Sequence, residues 1–129
     1  MSLTVSPALL AKAELGRVED AEFVGTIRTS LPYAYRLISE LAAELAVEGL
    51  EFTDNTVAPT DQERGQLLRA LASDSIRGSL ERHFGIRLAF QNCHRVAVFR
   101  PGPEGSAAYR EFTSVRAQLL NQTPELRDC

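Results

Sequence analysis

The chain has 129 residues, of which 44% are apolar and 24% charged, with a formal net charge of -3. These are ordinary globular proportions, and they exclude both an intrinsically disordered chain and a membrane protein. Net acidity, a pI near 5.4 and the want of a basic stripe with interleaved aromatic residues argue against a nucleic-acid partner.

No apolar run approaches the ~18 residues of a membrane-spanning helix, and the N-terminus lacks the basic segment and apolar core of a signal peptide. The expectation is therefore one domain over residues 1–129, located in the cytoplasm. The two cysteines, Cys93 and Cys129, are too few for a disulfide framework, and a reducing cytosol keeps them as thiols. With two histidines and no Cys-x-x-Cys or His-x-x-x-His spacing, neither a metal nor a cofactor is expected.

In chain order, Ser6 before Pro7 reads as an N-cap followed by proline at the first helical position, opening a short helix that ends near Gly16. Asp20 is read as the cap of a second helix through Phe23, Val24 and Ile27. Pro32 lacks the donor a continuing helix needs, so a fresh start belongs there, with Ser30 as its cap. Beyond it Ala34, Ile38, Leu41 and Leu45 share one helical face, opposite an acidic line of Glu40, Glu44 and Glu48. Gly49 ends that helix, and residues 50–59, without a period and rich in turn formers, read as a surface loop. Thr60 and Glu63 form a capping box. The helix it opens is expected to run to about His83, with Leu67, Leu68, Leu71, Ala72, Ile76 and Leu80 inward and Asp74, Arg77 and Glu81 outward.

At Gly85 the apolar period changes from 3.6 to 2. Ile86, Leu88 and Phe90 alternate with Arg87, Ala89 and Gln91, and Val96 and Val98 alternate with Arg95 and Ala97. A two-residue turn at Asn92-Cys93 sets Phe90 opposite Arg95 and wastes the apolar face. A three-residue turn over Asn92, Cys93 and His94 pairs Phe90 with Val96 and Leu88 with Val98, and burial favours it. An unbroken strand over 86–99 keeps the same parity but exceeds the usual strand length. Pro101 to Gly105 read as a loop. Ser106 is read as the cap of a last long helix carrying Ala108, Phe112, Val115 and Leu119, stopped by Thr123-Pro124. The fold class is α+β, mostly helical, with four to five helices and one β-hairpin or short antiparallel sheet near residues 86–99. An isolated hairpin is marginal in water, so its apolar face must pack on helices or meet a second copy in a homodimer.

Candidate sites are few. A thiol beside an imidazole, as in Cys93-His94, has the composition of a nucleophile and its base, but neighbours in a strand point to opposite faces. His83 at a helix C-terminus suits the dipole there, and Glu81, two residues away, faces elsewhere. Arg87 and Arg95 share a hairpin face with Gln91; paired guanidinium groups can clamp a carboxylate or phosphate, and the alternative is a solvated outer face. Tyr33 and Tyr35, beside Arg36, could line a pocket for a planar ligand, or be half-buried packing.

Three stretches, RGQLLRALASDSIRGSLERHFG (64–85), AFQNCHRVAVF (89–99) and FTSVRAQLLNQTPELRDC (112–129), resemble a small family of conserved actinobacterial proteins of about this length. The resemblance implies no activity and brings no residue role with it. The leading expectation is a small binding or interaction module, homodimeric, that recognises a partner protein or a small anionic ligand through Arg87, Gln91, Arg95, Tyr33 and Tyr35. The alternative is a cofactor-independent acid/base enzyme of a biosynthetic pathway, such as a condensation or cyclisation catalyst, using Glu81, His83, Cys93 and His94.

Overall fold

The computed structural model describes residues 2–47 and 49–121. The order of elements is α1 (Pro7–Glu14), α2 (Asp20–Ser30), α3 (Pro32–Leu45), β1 (Phe52–Asp54), α4 (Asp61–Leu71), α5 (Asp74–Phe84), β2 (Arg87–Gln91), β3 (Arg95–Phe99), α6 (Pro103–Phe112) and α7 (Val115–Leu120). The α+β class and the mostly helical balance are as expected. The described residues hold seven helices rather than four or five, because two expected helices are each divided.

Local chemistry accounts for the divisions. The Ser73 hydroxyl accepts from the Ile76 amide (3.4 Å), so the chain after α4 restarts as α5 instead of continuing to His83. Ser114 does the same for Ala117 (3.0 Å) and separates α7 from α6. The last helical region also begins earlier than the expected Ser106. Pro103 occupies the first position of α6, after Gly102 at a φ of 74°, which turns part of the expected loop into helix. Glu19, not Asp20, precedes α2, with its amide donating to Glu22 (3.3 Å). Asp20 instead accepts two bonds from Arg82 of α5 (2.7 and 2.9 Å), and this guanidinium holds its carboxyl below the ordinary carboxylate value. Leu31, not Ser30, precedes α3. The Thr60–Glu63 capping box is present in both directions (2.9 and 3.2 Å). Glu48, the Thr123-Pro124 stop and Cys129 lie outside the described residues.

The three strands form an antiparallel sheet in the order β1-β3-β2. β2 and β3 pair Leu88 with Val98 and Phe90 with Val96, the register of the three-residue turn. Residues 50–59 are not all loop, since Phe52–Asp54 pairs with β3 from Phe52↔Phe99 to Asp54↔Ala97. Three residues are too few to show an alternating period. β1 is held instead by Phe52 stacking on Phe99 at 5.4 Å and by the Thr53 hydroxyl donating to the Leu41 carbonyl (2.8 Å).

Alternation then gives the sheet two covered faces. Leu88, Val96 and Val98 join the core of α2 to α5, in which the four α3 residues Ala34, Ile38, Leu41 and Leu45 are all buried. The opposite face carries Ala89, Ala97 and Phe99, and it packs on Phe112, Ala108 and Tyr109 of α6 in a second, smaller cluster. The hairpin is thus sheltered within one chain, and the face expected to be solvated lies under α6. No helix among the described residues is long and apolar enough to cross a membrane.

Candidate functional site

A groove of about 520 Å³ runs along β2. The order β1-β3-β2 leaves β2 at the sheet edge. Leu71, Ala72, Arg77 and Glu81 form one wall, Tyr109 and Thr113 the other, and Arg87 to Phe90 lie between them. Within β2 the Leu88 amide turns away from β3 and donates to the Glu81 carboxylate (2.9 Å). Alternation along an antiparallel strand therefore turns the Leu88 carbonyl and both backbone groups of Phe90 to the open edge as well.

Two arginines approach this edge from opposite sides of the sheet. Arg77, on α5, donates to the Leu71 carbonyl (3.0 Å) and Asp74 (2.5 Å), which fixes its side chain at the α4–α5 turn. Arg87 lies opposite Phe99, on the face that α6 covers, and its guanidinium carbon sits 3.4 Å from the centre of the Tyr109 ring. Tyr109 is in turn held edge-on to Phe99 at 5.4 Å. Stacking occupies the face of the Arg87 guanidinium and leaves its N–H edges able to donate. Among the described residues Arg87 has no carboxylate or carbonyl partner.

The remaining expected clamp residues go elsewhere. Arg95 pairs with Asp54 of β1 (2.7 Å) and lies over Phe112 at 5.0 Å. Because Arg95 is opposite Gln91, it stands four positions, or about 13 Å, along the sheet from Arg87, too far for one small anion to bridge both. Gln91 is buried, donating to the Phe112 carbonyl and accepting from Asn121 (2.7 Å). Tyr33 and Tyr35 diverge. The Tyr33 amide donates to Gln66 of α4 (2.7 Å), and burial, then the nearby Glu63 carboxylate, push its hydroxyl above the ordinary value. Tyr35 lies on the other side, against Phe84 at 5.6 Å and under Arg28 at 5.6 Å.

The hairpin tip is a structural knot. Asn92 and Cys93 both have positive φ, at 56° and 57°. The Asn92 carbonyl lies 2.5 Å from His94 Nδ1, and its amide oxygen accepts from Gln118 (2.5 Å). Asn55 reaches across from β1 to the His94 carbonyl and the Val96 amide (both 2.8 Å). Cys93 is disulfide-bonded, which corrects the expectation of a thiol; a sulfur so engaged is no nucleophile. Of the four acid/base candidates only Glu81 lines the β2 groove. His83 is exposed and stacks edge-on against Phe84 at 4.7 Å, and Cys93 and His94 sit at the tip. Among the described residues no group of three or more His, Cys, Asp or Glu is placed to hold a metal ion.

Arg77, Tyr109 and Thr113 are the groove residues that sequence reasoning missed. Arg77 read as one member of an exposed charge pair, and Tyr109 gave no sign of facing the sheet until α6 was known to cover it.

The family model described as NucS shadow ORF matches residues 1–129. No curated protein and no solved structure matches.

Proposed function

We propose that this chain, which belongs to the NucS shadow ORF family, is a small binding module that recognises a partner protein or small anionic ligand in the groove along β2. The observation that supports this reading is Arg87: a guanidinium stacked over Tyr109 at 3.4 Å, across the groove from Arg77, with its donors unmet by acceptors among the described residues. Charge-assisted bonds from such a group to a carboxylate are worth about 1.5–3 kcal/mol each. Titration with citrate, followed by amide and arginine side-chain NMR, is expected to move the signals of Arg87, Leu88 and Thr113, and Arg87→Ala is expected to abolish the response. Signals that stay in place in the wild type would overturn the reading.

A nucleic-acid ligand is not part of the proposal. A G-x-x-G loop is one way a small module clamps nucleotide backbones, and this sequence contains that pattern only at Gly102-Pro103-Glu104-Gly105. Pro103 has no amide proton to offer a phosphate, and Glu104 repels one. A labelled oligouridine is expected to leave its anisotropy unchanged on adding the protein. The acid/base enzyme alternative needs Glu81, His83, Cys93 and His94 around one cavity, and the groove includes only the first of them. The cytoplasm is retained as the compartment on sequence grounds; the disulfide at Cys93 counts against it, because such bonds are rare in reducing surroundings.

Homodimerisation belongs to this proposal, but on a different surface from the hairpin. On α7, Val115 and Leu119 share one side at a spacing of four, and with Leu120 they are 68–78% exposed. Light scattering after size exclusion is expected to give twice the 14.2 kDa chain mass, and Leu119→Glu to return it to the single-chain mass. A wild-type monomer would remove the dimer from the proposal.

A further inference from the structure

We infer that the partner in the β2 groove is an acidic peptide that binds in extended form and adds a fourth strand to the sheet. The inference rests on the proposed groove function and names the chemistry of its ligand. The first end of the β2 edge is already closed, because Glu81 accepts from the Ile86 amide just before the strand through its carbonyl (3.0 Å) and from the Leu88 amide through its carboxylate (2.9 Å). The rest of that edge has no partner among the described residues: by alternation the Leu88 carbonyl and the Phe90 amide and carbonyl face the groove, and a strand laid there can bond all three.

Charge decides which strand. The groove places Arg77 on the side where α5 packs and Arg87 on the side where α6 packs. Successive side chains of a strand point to opposite faces, so two consecutive glutamates present one carboxylate to each guanidinium. A second copy of this chain is disfavoured as the occupant, since antiparallel β2–β2 pairing brings together two edges that each carry Arg77 and Arg87 and supplies no carboxylate pair to meet them. Glu81 keeps acidic residues from the closed end and thereby sets where the pair sits.

The test uses the intact protein and a blocked hexapeptide, Thr-Val-Glu-Glu-Val-Thr. Binding is expected to slow hydrogen exchange at the Phe90 amide. Replacing both glutamates of the peptide by glutamine, or introducing Arg87→Ala, is expected to weaken it about tenfold or more. Arg87→Lys keeps the charge but not the stacked plane, and it is expected to recover only part of the loss. A response to citrate with no binding of the hexapeptide overturns the strand inference and leaves the anion-binding reading standing; loss of both responses ends both. Peptide binding that is indifferent to the glutamates, or Phe90 protection that rises with protein concentration in the absence of peptide, also overturns the inference.

Discussion

Phe99→Ala is expected to destabilise the protein by about 3–5 kcal/mol, read from urea denaturation, as for other buried phenylalanine truncations. Phe99 is fully buried in β3. It stacks with Phe52 of β1 at 5.4 Å and meets Tyr109 and Phe112 of α6 edge-on at 5.4 and 5.6 Å. Truncation therefore removes apolar area and leaves a cavity at the point where the short strand, the central strand and the covering helix converge. Phe99→Leu fills most of that volume and is expected to cost less than about 1.5 kcal/mol. The variant also tests how the groove is built. Without Phe99 the Tyr109 ring loses its edge-on support, so Arg87 loses its platform, and the citrate response at Arg87 is expected to weaken even where the protein remains folded. An Ala variant as stable as the Leu variant would mean that the smaller cluster is not a packed core.

Much of this arrangement is visible in the residues themselves, and the exceptions have physical reasons. The inner face of α3 is legible because Ala34, Ile38, Leu41 and Leu45 keep helical spacing over a long element and all four are buried. The hairpin register is legible because, of the two short turns, only the three-residue one gathers Leu88, Phe90, Val96 and Val98 on one side, and strand length disfavours the unbroken alternative. By contrast, the break between α4 and α5 is hidden by Leu67, Leu71, Ile76 and Leu80, which stay in phase across it. The Ser73 cap is the local sign, and Ser-Asp pairs also occur inside helices. β1 is too short for any period to declare it. Its anchors, Phe99, Leu41 and Arg95, lie far away in sequence. The same distance obscures the groove. Alternation puts Arg87 on a face of the hairpin, but what covers that face depends on α6, whose Tyr109 looks like any half-polar helical residue until the sheet is beneath it. Sequence spacing paired Arg87 with Arg95; the third strand supplies Asp54 to Arg95 and leaves Arg87 to its groove.

Gly105→Ala is expected to cost about 2 kcal/mol, against the usual direction of such a change inside a helix. Intrinsic propensity alone favours alanine over glycine by about 1 kcal/mol. At this position a Cβ would lie 1.9 Å from the Arg100 carbonyl oxygen and 2.9 Å from its carbon, so backbone must move. Arg100 cannot readily give way, because its guanidinium donates to the carbonyls of Leu45 (2.8 Å) and Leu50 (3.0 Å), tying the end of β3 to the end of α3. The yielding element is α6, which would lift from the sheet and take Tyr109 and Phe112 with it. An overpacking cost of about 3 kcal/mol outweighs the propensity gain. Gly78 in α5 provides the comparison within the same protein. A Cβ there meets only the tip of the Arg82 side chain at 3.3 Å, which need yield by only a few tenths of an ångström while keeping its bonds to Asp20, so Gly78→Ala is expected to stabilise by less than about 1 kcal/mol. Opposite signs for the two substitutions, measured side by side in urea, would establish that the glycine closing the only G-x-x-G of the chain serves the approach of α6 to β3. A Gly105→Ala protein as stable as wild type would remove that packing role.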